Sequence, residues 1–211
     1  MPLAFKCPSS RSGHITSVDE SDIYFSTRAT DMDIAELLVD QEITLKQISL
    51  EFAEELFNLV QKNFEEPLCY WCPDLKKTYA SLESTIAHIK DAQSKYLEDG
   101  TPDFLIFSGK NIAGLISLSP LDELKIKSEI GYWLGSEFEG KGLIVRSFPV
   151  ILEYAKNNLK LKTVELSTSV PNIHSQKLPL MFGFKKAKII PDAERLADGI
   201  VDHILWRYDF Q

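Results

Sequence analysis

The amino-acid sequence predicts an α/β fold: a mixed, mostly antiparallel sheet of about seven strands with flanking helices. Three observations carry that expectation. Apolar, β-rich runs at 103–108, 112–119 and 128–134 follow one another across short polar turns, which predicts three adjacent antiparallel strands. Apolar residues recur at helical spacing before them, over 52–63 and 81–100, and after them, over 142–158. An alternating run at 163–170 and two closing runs at 185–190 and 203–210 supply the remaining strands.

In chain order, regular structure begins at Gln41, where Ile43, Leu45 and Ile48 mark the first strand. Phe52, Leu56, Leu59 and Val60 form a helical face that ends at Asn63, and Pro67 and Pro73 predict a loop after it. The next helix starts near Ser81, carries Ile86, Ile89 and Tyr96 on one face with His88 off it, and stops at Gly100. Gly109-Lys-Asn111 has the composition of a hairpin turn. A short helix is expected over 172–182. Pro149 and Pro179 fall inside their helices, and each predicts a kink, because an interior proline removes a hydrogen bond at ~3 kcal/mol unless the fold accommodates it.

With 211 residues, 44% of them hydrophobic and 26% charged, the chain can bury one sizeable core. Residues 1–40 read as a polar, acidic extension that holds half of the net charge of -8, and 41–211 read as one domain. Within the extension, 31–40 could add a short helix through Ile34, Leu37 and Leu38. The acidity argues against a nucleic-acid partner, which needs clustered Lys and Arg, and suits an amine. No run approaches the ~18 apolar residues of a membrane span, so a cytoplasmic chain without membrane contact is expected, as monomer or homodimer. Cys69 and Cys72, in C-x-x-C spacing, could join Cys7 and His14 around zinc. No second close pair supports that set, so no metal is expected and the two thiols read as reduced, partly buried groups beside Trp71.

The most informative stretch runs from Glu129 to Gly142, where a strand leads into a Gly-x-Gly loop that opens directly into a helix. Glycines at 140 and 142 let several amide N–H groups point one way, and the helix adds its positive dipole end, so the junction suits a pyrophosphate. The spacing alone is also that of a plain tight turn. A dinucleotide fold is excluded by the missing third glycine and by the antiparallel strands ahead of the loop. A Walker loop is excluded because Lys141 is followed by Gly142 and not by Ser or Thr.

Four runs in order, E-I-G-Y-W-L-G at 129–135, F-E-G-K-G at 138–142, N-I-H-S at 172–175 and M-F-G-F at 181–184, resemble the signatures of the Rim-type branch of GNAT acetyltransferases. Those enzymes acetylate the N-terminal amine of ribosomal proteins. The resemblance spans about residues 43 to 210 and implies a GNAT fold with a V-shaped splay between its fourth and fifth strands. It implies acetyl-CoA as donor and a primary amine as acceptor, first a protein N-terminus and second a small molecule or antibiotic. It puts Trp133, Leu134 and Gly135 beside pantetheine, Glu139, Gly140, Lys141, Gly142 and Leu143 around the pyrophosphate, and Asn172 with Ser175 near the thioester. Glu137 and Glu139 stand where the family often has Gln or Arg, and their charge predicts looser coenzyme binding.

The resemblance also implies direct transfer, in which a base takes the amine proton and an acid protonates the departing thiolate. The tyrosine that many members use as acid is absent, since Pro179 and Leu180 occupy its place, and Ser175 is the candidate instead; its plain alternative is a helix-turn cap. Glu194, ten residues after Phe184, matches the position of the base; its alternative is an exposed charge in the polar turn 191–195. Glu129 competes with it from the strand beside the coenzyme. His174 reads as a solvated loop residue and His203 as part of the closing strands. A non-catalytic module that binds acyl-CoA is the reading from another class.

Overall fold

The computed structural model describes residues 36–65 and 67–211. Strands β1 (Glu36–Leu38) and β2 (Ile43–Gln47) form a hairpin, followed by a short 3-10 turn and helix α1 (Ala53–Lys62). Two five-residue helices, α2 (Pro67–Trp71) and α3 (Asp74–Thr78), occupy the segment read as a loop. Helix α4 (Leu82–Asp99) leads to β3 (Asp103–Ser108), β4 (Asn111–Pro120) and β5 (Lys127–Leu134). Helix α5 (Leu143–Asn157), β6 (Thr163–Ser169), the short α6 (Lys177–Met181), β7 (Lys185–Leu196) and β8 (Gly199–Asp209) complete the chain.

One sheet holds all eight strands in the order β1-β2-β3-β4-β5-β6-β8-β7. Every neighbouring pair is antiparallel except β5 and β6. The eighth strand is β1. Residues 36–38 thus form a strand where a helix is expected over 31–40, and residues 31–35 lie outside the described residues. The segment pairs because β2 offers an open edge: Glu36 faces Lys46 in the ladder and salt-bridges it at 3.4 Å.

Each sheet face carries its own core. On one face Leu143, Ile144, Phe148, Ile151 and Ala155 of α5 pack on Ile130, Tyr132, Leu134, Val164, Leu166, Ile204 and Trp206. Phe148 is fully buried with Phe182 at 5.0 Å and Phe184 at 5.8 Å, so its truncation to Ala is worth ~3–5 kcal/mol. On the other face α1 to α4 contribute Leu56, Val60, Leu68, Leu75, Tyr79 and Ile89 against Leu105, Leu115 and Trp133. Helix α4 is bounded as its sequence indicates: Ser81 and Ser84 form a reciprocal capping box, and Gly100 ends it at φ 76°. Cys69 and Cys72 are buried in the second core, and burial pushes the Cys69 thiol up. Cys7 and His14 lie outside the described residues.

The two prolines behave differently from each other. Helix α6 is shorter than the 172–182 expected, so Pro179 becomes its third residue, where no helical acceptor exists for an N–H and no bond is lost. The expected kink has no cause there. Pro149 is internal to α5, which continues past it, and the bond it removes is to the carbonyl of Val145. His88 packs edge-on to Tyr79 at 5.3 Å, and burial holds its imidazole below the usual range. Among the described residues, no helix is long and apolar enough to cross a membrane.

Burial pushes the Asp103 carboxyl up to about 7, against the pull of Lys95. A carboxyl raised in the native state costs nothing below about pH 4, where both states are protonated, and destabilises increasingly as pH rises toward 7. Asp103→Asn is therefore expected to raise the melting temperature at pH 8 and leave it near the wild-type value at pH 4. Equal shifts at both pH values would show that Asp103 ionises normally.

Candidate active site

The site begins with an incomplete ladder. Strands β5 and β6 pair over three positions, Lys127 with Thr163, Ser128 with Val164 and Glu129 with Glu165. Beyond Glu129 the pairing stops, while β5 continues to pair with β4 as far as Leu134. Residues 130–134 thus have no neighbouring strand on one edge, along the mouth of a wedge. Counting from β2, this is the splay between the fourth and fifth strands. Side chains do not line that edge: Trp133 is 3% exposed on one face and Leu134 2% exposed on the other, so what the wedge presents is main chain.

At the open end of β5 the chain turns through a 3-10 segment, Ser136–Phe138, into Gly140, Lys141 and Gly142. Gly140 and Gly142 both have φ near 71°, and no protein atom lies within 4 Å of a Cβ built on either. The space beside the loop is open, and the left-handed backbone is what requires glycine. Gly142 caps α5, whose first turn contains no acidic residue, so the dipole end is uncompensated. Leu143 is fully buried and offers only its N–H, and Lys141 lies over the Phe138 ring at 5.2 Å. Across from the loop, the segment after β6 and α6 close a cavity of about 470 Å³ lined by Glu139, Gly140, Val145, His174, Lys177, Leu178 and Met181.

Helix α1 holds this loop from behind, a feature that motif reading missed. Asn63 is fully buried; its Oδ1 accepts from the Ser136 N–H at 2.7 Å, and its Nδ2 donates to the Leu59 carbonyl at 2.8 Å and to Glu137 at 3.4 Å. Glu137 is also salt-bridged to Lys62 at 2.7 Å. Burial pushes its carboxyl up, but the bonds from Lys62, its own backbone and Asn63 outweigh that and hold it below the ordinary range. Its charge is matched by a lysine and fastens the loop, so the expected penalty on a phosphate does not come from Glu137. Gly135 completes the contact, since a Cβ there would stand 2.8 Å from Leu59 and 3.2 Å from Asn63. The sequence signal was Asn63 itself, a polar residue at the end of an apolar helical face.

The candidate acid and bases fall at three places. Asn172 and Ser175 lie in the turn between β6 and α6, where the Ser175 N–H donates to Asn172 Oδ1 at 3.2 Å, and both residues are buried. The N-cap of α6 is Gln176, not Ser175. Glu129 sits at the vertex of the wedge, where the Ser167 hydroxyl donates to it at 3.0 Å. Glu194 is not in an exposed polar turn: it belongs to β7 and meets the fully buried His203 of β8, Oε2 to Nε2, at 3.0 Å. His174 is exposed and shares the cavity with Lys177, two basic groups opposite Glu139.

Residues 42–185 match the family model of the acetyltransferase (GNAT) domain. This chain belongs to the GNAT acetyltransferase family. It is 34% identical over 152 residues to YdaF of Bacillus subtilis (strain 168), which carries the name of a ribosomal N-acetyltransferase, covering 69% of this chain and 79% of that one. Its fold is similar to that of RimL, a ribosomal α-N-protein acetyltransferase solved with coenzyme A, at a TM-score of 0.77 and 20% identity over 83% of this chain and 98% of that one. It is also similar to the microcin self-immunity acetyltransferase MccE, solved with acetyl-CoA and AMP, at a TM-score of 0.70 and 24% identity over 82% and 94% of the two chains. As a GNAT enzyme the chain is an acetyl-CoA-dependent N-acetyltransferase.

Placing a branched side chain at Gly142 strains a left-handed backbone by ~1–3 kcal/mol and fills the open space beside the loop. Gly142→Val is expected to weaken acetyl-CoA binding tenfold or more in calorimetry while the melting transition remains cooperative. Unchanged affinity would show that the pyrophosphate lies elsewhere.

Proposed function

We propose that this enzyme acetylates protein N-terminal α-amines of the ribosomal-protein type. The observation that carries the reading is the end of the β5–β6 ladder at Glu129, with β5 running on into the Gly140–Gly142 turn, because main chain there can pair with an extended pantetheine and deliver its pyrophosphate to amide donors. The names carried by YdaF and RimL support the choice of acceptor. The fold shared with MccE keeps a small amine as the second reading. The non-catalytic alternative loses part of its support, since Glu137 is neutralised by Lys62 and Pro179 costs no hydrogen bond.

In this reading Glu139, Gly140, Lys141, Gly142 and Leu143 hold the pyrophosphate through backbone N–H groups, Lys177 adds positive charge across the cavity, and His174 offers a ring N–H. Trp133, Leu134 and Gly135 supply the strand edge, and Asn172 shapes the turn that carries Ser175. The uncharged amine attacks the acetyl carbonyl. A C–N bond forms and the C–S bond breaks; the amine proton goes to Glu194, directly or through one water, and Ser175 protonates the coenzyme thiolate. Glu129, held by Ser167 at the vertex, contributes negative charge near the attacking amine.

Incubation with acetyl-CoA and synthetic N-terminal peptides, read by mass spectrometry, is expected to show a single added acetyl on the α-amine and none on lysine side chains. Acetylation of small amines with no peptide turnover would replace this reading by the second one. Ser175→Ala is expected to lower kcat by ~10²-fold or more with little change in acetyl-CoA affinity. In Glu194→Gln, activity is expected to return partly as pH rises toward the pKa of the acceptor α-amine, ~8, since hydroxide can then replace the base. Equal, pH-independent losses in both variants would mark the two residues as positioning groups only.

A further inference from the structure

We infer that His203 is a positioning residue for the transfer reaction: it holds one carboxylate oxygen of Glu194 so that the other remains directed at the acceptor amine. The inference rests on the reading of Glu194 as base.

The strand register decides which side chains share a face. Val164, Leu166, Ile204 and Trp206 point into the core beneath α5, and Trp206 donates to Thr168 on that same face at 2.9 Å. By alternation, Ser167 and Ser169 of β6 and His203 of β8 point to the opposite face, and Ser169 stands directly across from His203 in the ladder. Glu129 joins them there through its bond from Ser167. The wedge vertex, Ser169, His203 and Glu194 thus lie along one side of the sheet. Ser169 Oγ is buried and has no hydrogen-bond partner among the described residues, which marks this strip as a place where polar groups await a ligand.

Glu194 reaches this face through a bulge. Ile190 pairs with His203 and Glu194 with Val201, so four steps along β7 match two along β8. Without the extra residues, Asp192 would stand opposite Val201. The bulge is pinned at its centre, where Asp192 takes φ 48° and its N–H donates to Asp202 Oδ1 at 3.0 Å. The result is a carboxylate re-aimed onto a buried imidazole. The His203 side chain is 2% exposed and that of Glu194 15%, so Glu194 is the member of the pair that a substrate can reach. An Nε2–H that donates to Oε2 fixes the carboxylate's rotamer, which leaves Oε1 to take the proton. The same face also carries Glu129, the Glu165–Arg207 pair and Asp209, and, by register with Leu205 and Arg207, Lys188 and Lys185 of β7.

Steady-state kinetics on His203→Phe, His203→Gln, Glu194→Gln and the double variant Glu194→Gln/His203→Phe test this. His203→Phe is expected to lower kcat roughly tenfold or more, a part of the 10²–10⁴ that a positioned base contributes, with the KM for acetyl-CoA within about twofold of wild type. His203→Gln keeps a donor and is expected to retain more activity. The double variant is expected to be no slower than Glu194→Gln alone, because the two residues act as one unit. Wild-type kcat in His203→Phe, or losses that multiply in the double variant, would overturn the inference while leaving Glu194 as base. A Glu194→Gln enzyme with full kcat would overturn the base reading itself, and the inference with it. If His203→Phe does not fold, nitrogen NMR of the imidazole decides: the Nε2-protonated form is expected in wild type, with its resonance displaced in Glu194→Gln, and an unmoved resonance overturns the pairing.

Discussion

The structure depends on a parallel ladder that ends early. Two parallel strands normally continue side by side for their full length, because each unpaired N–H and C=O in the interior is costly. Here β5 and β6 stay together for three positions and part after Glu129. The β5 side of the gap is then a row of main-chain groups with defined spacing and no protein partner strand. That row can satisfy an extended amide-containing chain, and the pantetheine arm of coenzyme A is such a chain. The glycine turn, the start of α5 and the turn before α6 all take their places from where the gap opens.

Keeping the gap open requires support on both faces. On one, α5 is fixed by Phe148 and its aromatic neighbours, so the helix end proposed to meet phosphate cannot drift along the sheet. On the other, the last turn of α1 reaches the loop through Asn63, Lys62 and Glu137. These contacts join residues more than seventy positions apart. A third tie comes from Arg146, which pairs with Asp40 and Glu42 of the first hairpin and donates to the Lys141 carbonyl. The loop itself can therefore be short and glycine-rich without being loose.

Much of this was legible in the sequence, and the failures have physical causes. Periodicity located the strands and long helices because the core demands it: Leu56 and Val60 on α1 are buried as read, and on α4 Ile89 is buried while the expected Ile86 and Tyr96 are only partly so, beside Thr85 and Ala92. Gly140 and Gly142 were legible because left-handed backbone favours one residue type. Strand β1 was not, since Glu36-Leu-Leu38 has no period of its own and pairs only because β2 offers an edge. Glu194 was placed in a turn because Pro191 and Asp192 look like one locally; tertiary pairing with β8 draws them into a bulge instead. Glu137 looked like a misplaced charge, because nothing near it in sequence discloses Lys62 and Asn63.

The turn proposed to bind phosphate draws on backbone dipoles in a protein whose net charge is -8. Amide donors and a helix end act over a few ångströms, whereas the overall charge acts over about 10 Å at ordinary ionic strength. A polyanionic coenzyme is thus repelled at a distance and held only on arrival. Arg146 does little to change this, because two carboxylates already neutralise it. Encounter and retention are set by opposite fields: added salt screens the repulsion and speeds association, while the short-range grip, sheltered in its cavity, is barely diluted. The enzyme's rate of capture belongs to its surface, and its affinity to its main chain.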